Sequence, residues 1–232
     1  MYRVDTMVLG MTYRAVIFDV GGVIVDSPLP HFEAFERRSG LPAGTITALI
    51  GAGGATNAWA RHERGEIDLD TFAALFGAEA AAEGHAVDGR ALLAGLVGPV
   101  RPEMAAAIET IRRRGLLVGL LTNTFPTSNG DLGMGRPDLA RIVALADAVV
   151  ESSRVGLRKP EPEFYELACR RLRIAPREAV FLDDLGVNLK TARALGMRTI
   201  KVDDVDGALA ELEDVLGFSV RRPLPGPDRR KV

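Results

Sequence analysis

The chain has 232 residues, 47% hydrophobic and 26% charged, with a formal net charge of -2, the profile of a globular protein with one sizeable core plus an insertion, or of two small domains. That charge balance gives no reason to expect nucleic acid or an anionic membrane as partner, and the single cysteine, Cys169, excludes an internal disulfide framework and a cysteine zinc cluster. No apolar run approaches the roughly 20 residues of a membrane span, and Met1 to Gly10 lack the basic start, apolar core and cleavage site of a signal peptide, so a cytoplasmic enzyme or binding domain is expected, with Met7 and Met11 as alternative starts.

In the first stretch, Arg14 to Val25, an apolar, partly β-branched run ends in Asp19 and reads as a parallel strand covered on both faces. Gly21-Gly22 follow at once. A carboxylate at the carboxyl end of such a strand lies where open α/β sheets bind ligands, and the glycines let the backbone turn sharply and approach a bound group. A capping Asp before an ordinary turn is the plainer reading of the same residues. The segment Asp26-Ser27-Pro28-Leu29-Pro30 breaks regular structure. From His31 to about Gly98 the texture becomes helical, with patches over Phe32–Arg38, Thr56–Arg64 and Leu69–Glu83, the last capped by Asp68 or Asp70. This region is expected to be a small helical domain inserted into the main one.

The β/α texture returns at Pro99. A helix is expected over Pro102–Arg114, its end marked by Arg112-Arg113-Arg114 and Gly115, a stop signature more than an anion site. A strand over Leu116–Leu121 leads into Thr122-Asn123-Thr124 and a polar loop, Phe125–Arg136, long enough to be functional. Then come a helix over Asp138–Leu145, a strand over Ala148–Val150, a polar connector Glu151–Lys159 and a helix over Glu163–Leu172 begun by Pro160-Glu161-Pro162. The strand Ala179–Leu182 ends in Asp183-Asp184, a helix follows to about Leu195, and Arg198–Val202 and Asp206–Leu216 close the fold.

Three strands thus end in polar chemistry at one edge of a parallel sheet: Asp19, Thr122 with Asn123, and Asp183 with Asp184. Lys159 comes from a loop between them. Gathered carboxylates repel unless a cation neutralises them, and hard oxygen ligands suit Mg²⁺. What fits among Mg²⁺, a lysine and a hydroxyl donor is a phosphate. Taken singly, Lys159 also reads as a solvated loop residue and Asp183-Asp184 as a helix cap.

The four segments Phe18-Asp19-Val20-Gly21-Gly22-Val23, Leu121-Thr122-Asn123, Arg158-Lys159-Pro160-Glu161-Pro162 and Phe181-Leu182-Asp183-Asp184-Leu185-Gly186-Val187-Asn188 resemble, in order, the four motifs of the haloacid dehalogenase-like superfamily. The resemblance covers about Tyr13 to Phe218 and is weak in the helical insertion, which occupies the place of that family's C1 cap. It implies an α/β fold, a three-layer Rossmann-like parallel sheet over residues 13–26 and 99–220, with a helical cap over 27–98 and flexible termini at 1–12 and 221–232. It also implies Mg²⁺-dependent hydrolysis of a small organic phosphomonoester. Asp19 would be the nucleophile that forms an aspartyl-phosphate. Thr122 and Asn123 would hold phosphoryl oxygens, Lys159 would screen charge, and the Gly22 and Val23 amides would cradle the phosphate. Asp183 and Asp184, with the Asp19 carboxylate and the Gly21 carbonyl, would bind the metal, and Asn188 would orient the acidic pair.

One position departs from the pattern. Where phosphatases of this family carry a second aspartate that protonates the leaving group, this chain has Gly21, and such acid catalysis typically contributes about 10²–10⁴-fold. Two alternatives therefore stand beside the phosphatase: a metal-independent 2-haloacid dehalogenase, and a weakly catalytic phosphate-binding or regulatory module. The expected partner is a small phosphorylated metabolite, with no nucleic acid or membrane, in a monomer or a homodimer. His31, His62 and His85 read as surface or packing residues, His31 being nearest the catalytic loop. Trp59 reads as cap core, with a lesser chance of lining the pocket, and Cys169 as buried and inert. Gly51-Ala52-Gly53-Gly54 lacks the context of a nucleotide loop.

Overall fold

The computed structural model describes residues 13–126, 132 and 136–221; the expected flexible residues 1–12 and 222–232, and most of the Phe125–Arg136 loop, lie outside these. In chain order the elements are β1 (Ala15–Phe18), α1 (Leu29–Ser39), α2 (Thr45–Ala52), α3 (Ala58–Glu63), α4 (Leu69–Ala82), α5 (Gly89–Leu93), α6 (Pro102–Arg113), β2 (Leu117–Thr122), α7 (Pro137–Leu145), β3 (Ala148–Glu151), α8 (Ser152–Val155), α9 (Pro162–Leu172), β4 (Ala179–Asp183), α10 (Gly186–Ala194), β5 (Arg198–Lys201) and α11 (Val205–Leu216). The strands form one sheet in the order β3-β2-β1-β4-β5, and every adjacent pair is parallel.

The two-residue alternation of a strand divides the sheet's side chains between two cores. Val16, Phe18, Val118, Leu120, Val180 and Leu182 face one side, against Met104, Ile108 and Ile111 of α6 and Leu209 and Leu212 of α11. Ala15, Ile17, Leu121 and Phe181 face the other, against Phe164, Tyr165 and Leu172 of α9 and Leu189 of α10. All four β1 residues are inaccessible to solvent, because β1 has a strand on each side and helices on both faces. This is the three-layer α/β arrangement that the continuously apolar strand implied.

The helices between β1 and β2 pack around a third cluster, in which Phe32, Trp59, Phe72, Phe76 and Leu92 meet Phe125 from beyond β2. Here the structure departs most from the expected patches. Helix α1 begins at Leu29, with Pro28 as its N-cap and Pro30 in its first turn, positions where a missing N–H costs nothing. Helix α2 was not expected; its start is fixed from outside itself, since the Glu36 carboxylate accepts hydrogen bonds from the Gly44 and Ile46 N–H groups at 2.9 and 2.7 Å. Asp68, not Asp70, caps α4. Asp88 caps the five-residue α5, also unexpected. The supposed connector after β3 contains the single-turn α8. At the end of α6, Gly115 takes φ of 84° and Arg112 pairs with Asp147 at 2.7 Å, as befits a helix stop.

Candidate active site

Parallel strands joined through helices end on the same edge, and register decides which residues meet there. Phe18 is level with Leu120 on β2 and Leu182 on β4. The Asp19 N–H continues the ladder by donating to the Leu182 carbonyl at 2.9 Å. Asp19 therefore stands just past β1, beside Asp183 at the end of β4, with Thr122 closing β2. Asp19, Thr122, Lys159, Asp183 and Asn188 are all buried.

The lysine is the centre of the cluster. Lys159 Nζ lies 2.6 Å from Asp19 Oδ2 and 2.7 Å from Asp183 Oδ2. Burial alone would weaken its hold on the proton, but Asp183 and Asp19 outweigh that and keep the ammonium above its ordinary pKa. Asp183 is firmly held: besides Lys159 it accepts the Asn188 amide at 3.0 and 3.1 Å and the Leu185 N–H at 2.8 Å. Asn188 is in turn held by Tyr165, whose hydroxyl donates to the Asn188 carbonyl at 3.0 Å.

Asp184 differs. Burial, then the neighbouring Asp183 charge, push its carboxyl up to about 6. One oxygen each from Asp19, Asp183 and Asp184 lie within 4.8 Å of one another, so three carboxylates face a single ammonium. Burial raises Asp19 well above the ordinary carboxylate range; Lys159 opposes this and the two other aspartates add to it. Hard oxygen donors in local excess of negative charge are the donor set that Mg²⁺ takes, and the residues present fit that ion. Gly22 belongs to the fit: it has φ of 74°, and a Cβ there would come within 2.1 Å of the Asp184 carboxylate, so no other residue lets that side chain approach the β1 turn. Val23, next in the turn, is fully buried. Gly21 is the opposite case, for a Cβ there meets nothing within 4 Å.

Two contributors, Arg101 and Glu63, were not singled out from sequence, and Asn123, expected to hold a phosphoryl oxygen, is bonded within the protein. Arg101 donates to the Gly22 carbonyl at 2.7 Å and to Asp26 at 3.1 Å, clamping the turn after β1. The Asn123 carboxamide accepts the Lys159 N–H at 2.9 Å, and its nitrogen donates to the Lys159 carbonyl at 3.2 Å and to Glu63 at 3.3 Å. Its nitrogen thus serves both the lysine's backbone and the Glu63 carboxylate. Glu63, from α3, also accepts from Arg158 at 2.6 Å. Long-range partners such as these leave no local spacing to read.

A cavity of about 570 Å³ opens beside this centre, lined by Gly21, Thr122 and Asn123 at one end and by Val25, Phe32, Trp59, Leu96, Val97 and Phe125 elsewhere. Trp59 is both core and lining, 6% exposed and 5.0 Å from Phe125 in an edge-on contact. His31 is tied to the Leu92 carbonyl at 2.8 Å and is not among the lining residues. His62 is fully buried. Cys169 is buried too, which pushes its thiol up to about 11, in keeping with an inert side chain.

Fold and site together define a parallel-sheet α/β enzyme with an acidic centre at the carboxyl edge. Residues 13–196 match the haloacid dehalogenase-like hydrolase family, and the chain belongs to that family; it is a hydrolase with phosphatases among its relatives. It is 40% identical over 223 residues to acyl-CoA dehydrogenase family member 10 of Mus musculus, a match that takes in 93% of this chain and 20% of that protein, so the chain spans about a fifth of that relative's length. With a phosphatase of Mycobacterium tuberculosis it shares 33% identity over 202 residues, 83% of this chain and 88% of the other. Among solved structures, an HAD family enzyme of Bacteroides thetaiotaomicron, in complex with magnesium and inorganic phosphate, has the same fold: TM-score 0.57 at 20% identity, over 82% of this chain and 93% of that one. No helix of the described residues is long and apolar enough to cross a membrane.

Proposed function

We propose that this hydrolase is a Mg²⁺-dependent phosphatase acting on a small phosphomonoester whose organic part is apolar, with the α1–α5 layer serving as its cap. The observation that carries the reading is a buried Asp19–Lys159 pair, 2.6 Å apart, whose neighbours Val20, Gly21, Thr122 and Asn123 line a cavity walled largely by apolar side chains. A carboxylate beside a fixed ammonium is a nucleophile with a counter-charge for an incoming anion. Asp19, Asp183 and Asp184, with the Gly21 carbonyl, would hold the Mg²⁺, whose charge screens the phosphoryl oxygens from the carboxylates.

A carboxylate oxygen of Asp19 attacks phosphorus and the bond to the leaving oxygen breaks, giving an aspartyl-phosphate and the free alcohol. Water then attacks phosphorus, the bond to Asp19 breaks, and inorganic phosphate leaves with the carboxylate restored. Lys159 stays between Asp19 and the transferred group, and the Thr122 hydroxyl bonds a phosphoryl oxygen. Asn123, its donors committed to Lys159 and Glu63, acts by holding the lysine. With Gly21 supplying no acid, the leaving group takes its proton from water, which favours substrates with good leaving groups.

The test is p-nitrophenyl phosphate hydrolysis with Mg²⁺, with EDTA, and with Asp19→Asn. Release of p-nitrophenol should require both the metal and Asp19, and the variant should fold normally by circular dichroism. Absence of release, or undiminished turnover in Asp19→Asn, overturns the reading.

A further inference from the structure

Glu63 closes α3, in the helical layer, yet its carboxylate reaches the core side of the cavity. Arg158 Nε and Nη2 each lie 2.6 Å from Oε2, Asn123 Nδ2 lies 3.3 Å from the same oxygen, and Trp59 Nε1 donates to Oε1 at 3.1 Å. The Glu63 carbonyl accepts the Ser152 hydroxyl at 2.6 Å. We infer that Glu63 is a positioning residue for the proposed phosphatase reaction: through Arg158 and Asn123 it holds the backbone on which Lys159 rides. The inference rests on that reading of the site.

One grip acts on the residue before the lysine and the other on the lysine's own peptide groups. Arg158 precedes it in the chain, and the Asn123 carboxamide bonds its N–H and its carbonyl. Lys159 Nζ must lie between two carboxylates at 2.6 and 2.7 Å, and a flexible four-carbon stem keeps such a place only if its backbone is fixed. Burial raises the Glu63 carboxyl above its ordinary value against the pull of the Arg158 guanidinium; both its oxygens accept from protein donors, Oε1 from Trp59 and Oε2 from Arg158 and Asn123, so it is placed as an acceptor. It therefore does not replace the acid missing at Gly21.

The carrier of Glu63 gives this a second consequence. Just past α3, Gly65 lies so close to α8 that a Cβ would stand 2.3 Å from the Ser153 carbonyl. Seating of the helical layer on the core and fixing of the Lys159 backbone are therefore one event. Trp59, which lines the cavity and donates to Glu63, links the occupied pocket to the same carboxylate.

Glu63→Gln, Arg158→Gln and their double variant test this with two readouts. On p-nitrophenyl phosphate each single variant should lower kcat by about tenfold or more, the scale of a misplaced catalytic group, with KM within about twofold of the parent. The double variant should be no slower than the worse single, since one pair is being removed, and Glu63→Asp should recover part of the loss. Amide hydrogen exchange over residues 157–162 should accelerate in Glu63→Gln while the urea midpoint changes little. Unchanged exchange there, a change in KM alone, or additive losses overturn the inference. Exchange is read without turnover, so an inactive parent enzyme would defeat the phosphatase reading and still leave Glu63 decided.

Discussion

Asp19 stands next to residues that line the cavity and Trp59 lines it directly, but they are placed by unlike means. Asp19 stands where it does because β1 is pinned between β2 and β4 and its ladder runs one bond past the strand; a shift of one residue would turn it to the other face. Trp59 is placed by an aromatic cluster in which Phe32, Phe72, Phe76 and Phe125 surround it at ring distances of 5.0 to 6.1 Å. The sheet edge is rigid, charged and fixed by backbone hydrogen bonds. The helical layer is joined by short helices and apolar contacts that tolerate substitution of like for like. Under the proposed function, chemistry belongs to the first and discrimination between substrates to the second, so substitutions on the two sides should fail in different ways.

The largest separation is expected within the acidic pair. Asp183→Asn leaves Lys159 with one carboxylate where it had two, and breaking a buried, hydrogen-bonded ion pair costs about 3–5 kcal/mol. The urea midpoint should fall accordingly. Asp184→Asn removes a carboxylate that makes no direct ion pair and whose burial and Asp183 neighbour outweigh the pull of Lys159 and Arg101, so stability should hold or rise, while Mg²⁺ affinity by titration calorimetry drops at least about tenfold. Equal Mg²⁺ affinity in wild type and Asp184→Asn would place the metal elsewhere.

Next in size is Gly21→Asp. The space beyond Gly21 is open and its φ is not positive, so the side chain can enter the site without moving the turn. If a proton donor is what the site lacks, kcat on alkyl phosphates should rise by up to about 10²–10⁴-fold, and on p-nitrophenyl phosphate by far less. An equal gain on both would mean that leaving-group protonation does not limit the reaction. Gly22→Ala is the negative counterpart, since its Cβ collides with Asp184.

On the opposite wall, Phe125→Ala should raise KM for an aryl phosphate by about tenfold, the worth of one apolar contact surface, with kcat within a fewfold of the parent. A loss confined to kcat would mean that Phe125 acts through the catalytic centre and not as substrate wall.

How much could be read in advance follows the same division. The strands were legible because residues buried on both faces form unbroken apolar runs, and each run ended in the residue that the edge uses: Asp19, Thr122, Asp183. The helical layer was legible only as texture. Nothing near Thr45 announces α2, because its cap is Glu36, on another helix. Pro28 and Pro30 spelled a break but begin α1. Glu63 was not picked out, since the core residues it holds, Asn123 and Arg158, lie 60 and 95 positions away in the chain. Motifs record chemistry that recurs at fixed spacing, whereas contacts between layers are made in space.

The smallest effect expected is one of pH, and it tests whether the helical layer loosens separately from the sheet. His62 is stacked between Phe72 and Phe125, at 4.7 and 5.2 Å with the rings within 20° of parallel. Its Nδ1 lies 2.9 Å from the Ile67 carbonyl; a carbonyl can only accept, so that nitrogen carries the proton. Nε2 has no partner among the described residues. A second proton would have to be buried there unpaired, and burial accordingly holds the His62 pKa below its ordinary value. The sign follows: the unfolded chain binds this proton more readily than the folded one, so the stabilisation is whole above the unfolded pKa of about 6.5 and drains away as pH falls below it. The melting temperature should decline from pH 7.5 to pH 5.5, and His62→Phe, which keeps the stack and removes the titration, should decline less. Because Phe125 stacks on His62 and walls the cavity, KM should also rise over the same pH fall, and less in the same variant. Identical pH slopes in wild type and His62→Phe would show that the stack does not feel this proton and that the layer's acid sensitivity, if any, resides at its seam with the core.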